Sequence, residues 1–595
     1  MKVSFSFFLN RSNWIQLLLF AVFLVFITQT GINYILTYDV FGYYLYLPAT
    51  FIYQDSFFTD LSWVNTIVDT YNNSSTVYQL NPTPTGGHEV KYSVGLSILM
   101  LPFFFLGHLH AYIVDAPLDG FSVPYNLWIN ISYWTYAFLS IILLRRTLTI
   151  KYDSKSAALT LLALFFGSNL MHQIYGAVGM SHVYVFFLYA LLLFLLTKSE
   201  QNRKSRNAVS IGLTFGLLIM CRPTEFLAFV LIALWYINNQ GLFNYVVSEK
   251  KHHLKYWLTF AFSALCILFI QLLRWKLATG SWFYMGYQNN GEGFDLFPPH
   301  LLEFLFSFRK GWLLYSPLMV LALIGLIYIP EKRQRAAFIA FVFLEVFIIS
   351  SWSNWWYSES FGNRGIVQIY AALSIGLGAI IFKIKGRSRT LKWTVGILIF
   401  LCVSLNLFQT YQFDQGLIHS SRMTKQAYKE VFLALDAPSN FSDLLLPNWE
   451  KWKGLPIDTS KYELFDSIIG PSDLALNSDQ LYAEILSTEM QQIASSDFIW
   501  VELEATLVAN VDNTHWPLSV FSIAHKGEYA NQLKGFDADH VNTGDTLQVY
   551  DKYLTPEPRM KNDRLKVYFW MMNDGSATVL HNKLRFWKRK SSGNH

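Results

Sequence analysis

The sequence has few charged residues and few cysteines for its length. Only 15% of its 595 residues are charged, against roughly 25% in an ordinary soluble domain. Its three cysteines, Cys221, Cys266 and Cys402, lie in or beside apolar runs, where a free thiol packs as a small hydrophobic group. These shortages argue against a disulfide framework and against a CxxC metal site. Because no stretch concentrates basic residues on one face, nucleic-acid binding is also excluded.

Apolar residues are abundant instead, and they fall in long runs. The chain is 53% hydrophobic and 17% aromatic. Runs near the ~20 residues needed to cross a bilayer recur from residue 14 to residue 411 and then stop. Residues 1–411 carry 28 Lys and Arg against 17 Asp and Glu, whereas residues 412–595 carry 18 against 24. We therefore predict a polytopic α-helical membrane domain over residues 1–411, followed by a region in a different solvent.

Basic clusters indicate which ends of the crossings face the cytoplasm. The clusters occupy residues 145–155, 198–206, 250–255, 332–335 and 383–392. Between them we predict crossings near residues 124–144, 155–170, 180–197, 206–220, 223–239, 256–278, 312–330, 335–352, 365–382 and 390–411. The first apolar run, residues 14–36, has no small-residue cleavage site, so we interpret it as a retained helix. The total is about eleven crossings.

Crossing parity predicts where the C-terminal region lies. Lys2 and Arg11 hold the N-terminus inside, and an odd number of crossings then places the C-terminal region outside. The apolar run 94–113 is left over, because a full crossing there would put every later basic loop on the outside. We therefore predict that this run forms a juxtamembrane helix at the outer face.

The region after residue 411 divides into two parts by its pattern. Residues 412–490 are mixed in composition, and we predict a connecting region there. From residue 491 to residue 595, apolar and polar residues alternate, as in Val501, Leu503, Ala505 and Leu507. Short alternating runs separated by Asn-Asp-Gly and Thr-Gly-Asp turns predict a β-sandwich or jelly roll.

Polar residues of unusual kind collect in the predicted outer loops. These loops are residues 37–92, 279–311 and 353–364, with shorter turns at 172–181 and 221–225. Polar groups near the membrane are costly and are usually kept for function. The pattern therefore predicts a functional site on the outer face.

The first outer loop carries several candidate site residues. Asp39 directly follows the first helix, and its carboxylate is either a general base or the N-cap of a following helix. Lys91 is either a phosphate ligand or, with Tyr92, an interfacial anchor. The candidates for contacting sugar or acceptor in this loop are Tyr43, His88 and Glu89.

Two turns at the outer ends of helices add an imidazole and a guanidinium. Arg222 suits a phosphate anion, although an internal ion pair with Glu225 explains it equally well. His182 is either a substrate-binding residue or a hydrogen-bonded packing residue.

The loop 279–311 ends in two adjacent cations. Arg309 and Lys310 lie on the predicted outer side, where the orientation rule disfavours them. Binding an anion such as a donor phosphate is one reason to keep them there. Glu292, in the same loop, is a further candidate for contacting sugar or acceptor.

The last outer loop reads WSNWWYSESFGNR over residues 352–364. Its aromatic faces beside carboxylates and amides suit sugar rings, which makes Trp356, Glu359 and Arg364 candidates for sugar or acceptor binding. For the tryptophans alone, an interfacial aromatic belt is an alternative explanation.

Taken in order, these stretches resemble the bacterial GT-C superfamily of the protein O-mannosyltransferase and lipid A aminoarabinose transferase type. The resemblance covers about residues 10–411 and depends on the Asp39 loop, the Lys91-Tyr92-Ser93-Val94-Gly95 entry and the WWY…SFGNR loop. The sequence departs from such enzymes in lacking an Asp-Glu pair at 39–40 and a His-Pro-Pro stretch, and in having His182 where many relatives have aspartate. The acceptor is therefore not carried over.

The resemblance implies a membrane glycosyltransferase of a bacterial inner membrane with a periplasmic C-terminal domain. Its donor would be a polyprenyl-phosphate sugar, its acceptor a glycan, lipid or protein, and transfer would invert the anomeric carbon. Asp39 would be the base, with Lys91, Arg222, Arg309 and Lys310 as phosphate ligands. The C-terminal domain looks like a carbohydrate-binding jelly roll.

No cofactor is required by this interpretation. Asp39, Glu89, Glu292 and Glu359 have oxygen atoms suited to a divalent metal, but no fixed spacing supports one. A transporter or flippase for a glycolipid is the main alternative, because it also needs polar groups in a membrane cavity. A sugar-binding scaffold built on the β region is a third possibility.

Overall fold

The structure is a computed structural model that describes most of the chain from residue 33 onward. The described residues are 21, 33–74, 77–201, 205–236, 250–287, 293–297, 299–439, 441–445, 459, 462–478, 480–490, 499–512, 516–524, 528–534, 541–555, 564–571 and 575–590. The predicted first helix lies outside them except for residues 33–36, which are not helical. Their backbone is held by side chains instead, because Asn126 accepts a hydrogen bond from the Ile35 N–H and Asn73 donates one to the Leu36 carbonyl.

Nineteen α-helices run through the described part of the first 446 residues. They are α1 Tyr38–Tyr44, α2 Tyr46–Phe51, α3 Ser62–Tyr71, α4 Gly95–Ile113, α5 Val123–Lys151, α6 Ser154–Phe166, α7 Leu170–Gly176, α8 Ser181–Gln201, α9 Ser205–Cys221, α10 Ala228–Tyr236, α11 Lys250–Thr279, α12 Leu301–Phe306, α13 Trp312–Tyr315, α14 Leu318–Leu326, α15 Lys332–Ser350, α16 Tyr370–Ile384, α17 Arg389–Asp414, α18 Lys425–Val431 and α19 Phe441–Leu444. Two 3₁₀-helices, Pro223–Leu227 and Arg364–Ile369, precede α10 and α16.

The helices coincide with the predicted crossings. Each of the ten crossings after residue 123 falls on one helix or on a broken pair, such as α6 and α7, which meet at a 59° bend. Within the described residues, six helices are long and apolar enough to span a membrane, or seven if the bent pair counts as one span. The chain is therefore a multi-pass helical membrane protein, as predicted.

Close helix packing in this unit uses glycine. A Cβ atom added at Gly212 of α9 would lie 2.4 Å from the Phe260 carbonyl oxygen of α11, and one at Gly216 would lie 2.8 Å from the Ala264 carbonyl oxygen. Gly212 and Gly216 form a G-x-x-x-G pair, and such pairs let membrane helices approach closely when no hydrophobic effect drives them together. The α9–α11 contact fixes the end of α9, where Arg222 follows.

The helix α4 packs antiparallel to the first half of α5. The Tyr136 hydroxyl donates to the Leu99 carbonyl, and Gly107 approaches the Tyr125 backbone. Tyr136 in turn contacts Tyr184, near the start of α8. The first dozen residues of α5 therefore extend roughly 18 Å past the start of α8. By length and composition α4 also qualifies as a span, so its membrane placement stays a prediction.

Cysteine labelling tests the placement of α4. Ser93→Cys and Leu118→Cys flank the helix, and in a background with the three native cysteines replaced by Ala we expect both to react with an impermeant thiol reagent added outside intact cells. The Gly386→Cys control lies in a predicted cytoplasmic loop where the added side chain meets open space, and it should stay unlabelled. Labelling at only one end of α4 would mean that the helix crosses.

Nine further strands form the C-terminal unit. They are β3 Tyr462–Ile469, β4 Leu474–Leu476, β5 Tyr482–Glu489, β6 Ile499–Ala509, β7 Leu518–Ala524, β8 Glu528–Lys534, β9 Thr546–Leu554, β10 Arg564–Trp570 and β11 Ala577–Arg589. They follow the short hairpin β1 Leu80–Pro82 and β2 His88–Val90 of the first outer loop.

The two C-terminal sheets have the strand order of a jelly roll. One is β5-β10-β7-β8 and the other is β3-β11-β6-β9, with β4 also paired to β11. If β3 and β5–β11 are counted one to eight, the orders are 2-7-4-5 and 1-8-3-6, which close two Greek keys. Val501, Leu503 and Leu507 of β6 are buried in the core between the sheets. The predicted alternation and the predicted jelly roll are therefore confirmed.

The structure divides the chain differently from the sequence-based boundaries. Residues 412–446 belong to the helical unit, because Tyr428 and Val431 of α18 pack with Tyr315 and Phe361 in one apolar cluster. The β unit begins after Leu446, and β3, β4 and β5 lie within the stretch predicted as a connecting region. These strands escaped prediction because exposed apolar residues such as Leu464 and Ile469 obscure their alternation.

Candidate active site

Asp39 is the second residue of α1 and does not cap it. The N-cap is Thr37, and the backbone of Tyr38 has a φ of +46°, in the left-handed region that costs a tyrosine conformational energy. Tyr38 is held there by bonds on both sides: its N–H donates to the Asn73 carbonyl, and its carbonyl accepts from the Gln79 side chain. Backbone strain of this kind clusters at functional sites.

The two oxygens of the Asp39 carboxylate have different surroundings. Oδ1 accepts hydrogen bonds from the hydroxyls of Tyr78 at 2.9 Å and Tyr92 at 2.6 Å. Oδ2 lies 3.7 Å from Nη2 of Arg364, and the Asp39 side chain is 30% exposed. Burial and the neighbouring carboxylate raise the pKa of Tyr78 and of Tyr92, so both remain donors. Oδ2 is therefore the oxygen that a reactant can approach.

A glycine lets the Tyr92 ring reach Asp39. A Cβ atom at Gly42, one turn along α1, would lie 2.6 Å from the Tyr92 ring. The Tyr43 ring packs against the Tyr92 ring with centroids 4.5 Å apart, and the Tyr43 hydroxyl bonds to Ser181 at the start of α8. Tyr43 therefore connects the Asp39 loop to the helix that carries His182.

The ammonium group of Lys91 lies over three tyrosine rings. Its distances to the ring centroids are 4.5 Å for Tyr78, 5.1 Å for Tyr92 and 5.4 Å for Tyr287. Each ring face attracts a cation. Because the same Tyr78 and Tyr92 donate to Asp39, one pair of side chains holds both the carboxylate and the ammonium group.

Arg222 stands at the break between α9 and the following 3₁₀-helix. Its Nη1 is 3.3 Å from Nδ1 of His182, and its Nε is 3.8 Å from Oε1 of the buried Glu225. A third bond joins it to the Tyr357 hydroxyl, where burial raises the pKa of Tyr357 to about 12. An arginine always donates, so His182 accepts at Nδ1. The ion pair with Glu225 that the sequence left open is present.

Arg364 reaches Asp39 from the last outer loop. Asn363 caps the 3₁₀-helix that begins at Arg364, accepting from the Gly365 N–H, and donates to the Trp355 carbonyl. Asn169 of the α6–α7 bend donates to the carbonyls of Phe361 and Asn363. The SFGNR motif is thus a rigid turn that places one guanidinium group.

Lys310 holds the same turn from inside. Its ammonium group donates to the carbonyl and the hydroxyl of Ser360, and the side chain is 1% exposed. Burial, with Arg364 and Arg309 nearby, holds the pKa of Lys310 well below its ordinary value. The prediction of Lys310 as a phosphate ligand therefore needs correction, because this side chain is a buried structural support.

Glu89 and His88 also differ from prediction. Glu89 is fully buried and makes an ion pair with Arg274 of α11, with Nη2 of Arg274 2.9 Å from its Oε2. Burial raises the pKa of Glu89, and Arg274 opposes that rise. His88 bonds through Nδ1 to the Phe58 carbonyl. Neither side chain contacts the residues around Asp39, and we remove both from the candidate sugar contacts.

A second cluster joins the remaining predicted residues. The Arg309 guanidinium group lies 3.9 Å from the centroid of the Trp356 ring and donates to the Ser421 carbonyl at 2.7 Å. Trp356 therefore offers no free face on that side for a sugar. Glu359 is exposed and interacts electrostatically with Lys310 and with Arg422. Glu292 lies outside the described residues.

The convergence around Asp39 includes residues that the sequence did not single out. The predicted residues that the structure brings together are Asp39, Tyr43, Lys91, His182, Arg222 and Arg364. The additional side chains are Tyr78, Tyr92, Tyr287 and Tyr357. The sequence offered no signal for them because the chain contains 34 tyrosines. In the described part of the chain, no group of three or more His, Cys, Asp or Glu side chains is arranged to hold a metal ion.

Comparisons with known proteins give distant likenesses. No protein-family model matches the chain, and no curated protein matches it. Among solved structures, the chain is similar to the arabinosyltransferase EmbB from Mycobacterium smegmatis, determined by single-particle cryo-EM, with 11% sequence identity and a TM-score of 0.31. The match covers 94% of this chain and 64% of the length of EmbB. Values this low do not assign a family, so the function has to be inferred from the site.

Proposed function

We propose that this chain is a membrane glycosyltransferase that moves a sugar from a polyprenyl-phosphate donor to an extracytoplasmic glycan, lipid or protein acceptor. The observation that supports this most is the arrangement around Asp39. A partly exposed carboxylate lies beside the Arg364 guanidinium group, and the tyrosines that bond it also carry Lys91. The sequence resemblance to GT-C enzymes points to the same activity.

The proposed reaction is a single displacement at the anomeric carbon. The acceptor hydroxyl oxygen forms the new glycosidic bond while the bond between the anomeric carbon and the phosphate oxygen breaks. The hydroxyl proton passes to Oδ2 of Asp39, and the polyprenyl phosphate leaves with the electron pair. Attack from the side opposite the phosphate inverts the configuration. A positioned carboxylate base suits this step.

The proposed donor site uses Arg222, Arg364 and Lys91. Guanidinium and ammonium groups bind phosphate oxygens through charge-assisted hydrogen bonds, and they stabilise the negative charge that builds up on the leaving phosphate. The phenols of Tyr43 and Tyr357 lie next to these cations and are suited to hydrogen bonding with the sugar. The proposal requires no metal ion.

Lys91→Met tests the donor site. We expect it to raise the KM for a polyprenyl-phosphate sugar by about tenfold or more, since a hydrogen bond to a charged group contributes roughly 1.5–3 kcal/mol. The measurement is initial transfer rate against donor concentration in membranes with matched protein levels. Lys276→Met, at the exposed end of α11, is the matched control and should leave KM unchanged. An equal KM in both variants would remove Lys91 from the donor site.

A glycolipid transporter or flippase remains the second candidate. The observation that favours it is the buried group of Arg222, Glu225 and Glu345 among the helices, because transporters place such charges at membrane depth. The two functions separate in an assay that follows both label transfer and lipid movement. A flippase would move the labelled lipid without forming a glycosidic bond.

We propose a carbohydrate-binding role for the jelly-roll unit. On the outer face of the β5–β10 pair, Tyr482 lies opposite Trp570, and their rings are nearly parallel at 6.0 Å between centroids. Tyr568 lies on the same face. Aromatic side chains of this kind suit the apolar faces of sugar rings.

We also propose that the protein lies in a bacterial inner membrane with this unit in the periplasm. Alkaline phosphatase fused after residue 595 should therefore be active, since the enzyme folds only outside the cytoplasm. The same enzyme fused after residue 204, in a predicted cytoplasmic loop, is the control and should be inactive. A reversed pattern would overturn the orientation.

A further inference from the structure

Two glutamates approach one tyrosine hydroxyl inside the helical unit. The Tyr189 hydroxyl of α8 lies 2.5 Å from Oε2 of Glu225 and 3.2 Å from Oε1 of Glu345 in α15. All three residues are 0% exposed. Glu225 also lies 3.8 Å from Nε of Arg222 and 3.5 Å from Nε2 of Gln368. A hydrogen-bonded chain thus runs from Glu345 through Tyr189 and Glu225 to Arg222.

Counting hydrogens fixes the direction of this chain. A phenol has one hydrogen, and the 2.5 Å distance assigns it to the bond with Glu225. The contact between the oxygens of Tyr189 and Glu345 then needs a hydrogen from Glu345. An ionised Glu345 would instead face the phenol oxygen without a donor, in a low-dielectric interior where an unpaired charge is costly.

Charge balance leads to the same assignment. Arg222 is the cation beside this pair, and it lies beside Glu225 rather than Glu345. The other titratable groups that face Glu225 or Arg222 are Cys221, His182 and Tyr357. Oε2 of Glu345 has no hydrogen-bond partner within the described residues. Two like charges at this separation cannot both be sustained by one cation.

We propose that Glu345 is a neutral acid that donates to Tyr189, that Tyr189 donates to an ionised Glu225, and that this relay fixes the guanidinium group of Arg222 at the candidate active site. Glu345, Tyr189 and Glu225 are positioning residues in this proposal. Its consequence for donor binding rests on the proposed function, whereas the protonation assignment does not. Replacing buried polar groups of this kind by apolar side chains is often stabilising, which argues that the relay is kept for orientation.

Paired substitutions test the assignment. Glu345→Leu and Tyr189→Phe each interrupt the relay and should raise the donor KM about tenfold, by the loss of one bond that orients a charged group. Glu345→Gln should restore a KM near the unsubstituted value, because its amide N–H replaces the acid O–H. Glu225→Gln should not restore it, because Arg222 then lacks a carboxylate. If Gln is tolerated at 225 and not at 345, the assignment is reversed and the proposal is wrong.

Infrared spectroscopy gives a readout independent of activity. Purified protein in detergent should have a carbonyl stretching band of a buried protonated carboxyl group that shifts in D₂O. The band should disappear in Glu345→Gln and persist in Glu225→Gln, with thermal unfolding used to check that each variant is folded. A band that survives Glu345→Gln unchanged would overturn the proposal. Loss of the band together with absent glycosyl transfer in every variant would instead contradict only the proposed function.

Discussion

Asp39→Asn is expected to lower sugar transfer by about 10²- to 10⁴-fold while leaving the protein folded. The substitution keeps the size of the side chain and an oxygen that accepts from Tyr78 and Tyr92. It removes the proton acceptor at Oδ2 and the negative charge near Arg364. A helix-capping role is not at stake, because Thr37 occupies the N-cap of α1. The loss should therefore report on the chemical step.

The measurement is transfer from a radiolabelled polyprenyl-phosphate sugar in membranes, with protein abundance checked by immunoblot. The donor KM should change much less than kcat, since the phosphate ligands remain in place. Asp69→Asn is a matched control, because Asp69 is exposed on α3 in the same outer loop. Near-normal kcat for Asp39→Asn at normal abundance would rule out the assignment of Asp39 as the base.

The helical unit could be predicted from the sequence because one physical requirement dominates it. A helix that crosses a bilayer needs an apolar run of a certain length, and basic loops bias its orientation. All ten predicted crossings after residue 123 accordingly fall on helices. Breaks inside crossings were not predicted: α6 and α7 bend by 59°, and α13 and α14 are separated around Pro317.

The convergence of Asp39, Lys91, Arg222 and Arg364 followed from the same orientation argument. Each lies at the outer end of a helix or in an outer loop, so one membrane face had to collect them. Which of them meet could not be derived, because strand pairing and turn geometry decide it. The hairpin β1–β2 directs Glu89 toward Arg274, two residues before Lys91 contacts the tyrosines.

Burial explains the candidates that were misplaced. Lys310 and Glu89 read as exposed loop charges in the sequence, since lysine and glutamate are rarely buried without a partner. Their partners, Ser360 and Arg274, are 50 and 185 residues away. The tyrosines around Asp39 were missed for the related reason that their roles depend on the same long-range packing.

Breaking the Glu89–Arg274 pair is expected to destabilise the protein by about 3–5 kcal/mol, the usual effect of leaving one member of a buried ion pair without its partner. Arg274→Met leaves the Glu89 carboxylate buried, with Tyr46 donating to it at 3.0 Å. The guanidinium group also lies 4.3 Å from the centroid of the Tyr46 ring, so packing is lost together with charge. The measurement is unfolding free energy in detergent from denaturant titration.

Two further variants separate the charge effect from the packing effect. Arg274→Met combined with Glu89→Leu removes both charges, so most of the stability should return, because a well-packed apolar pair can replace a buried ion pair. Lys385→Met removes an exposed ion pair with Asp153, in which the two side chains are 42% and 36% exposed, and should change stability by no more than about 1 kcal/mol. The Tyr46 hydroxyl also donates to the Tyr92 carbonyl at 2.7 Å, which ties the ion pair to the backbone beside Lys91. Arg274→Met should therefore also raise the donor KM, and a destabilised variant with an unchanged KM would contradict that coupling.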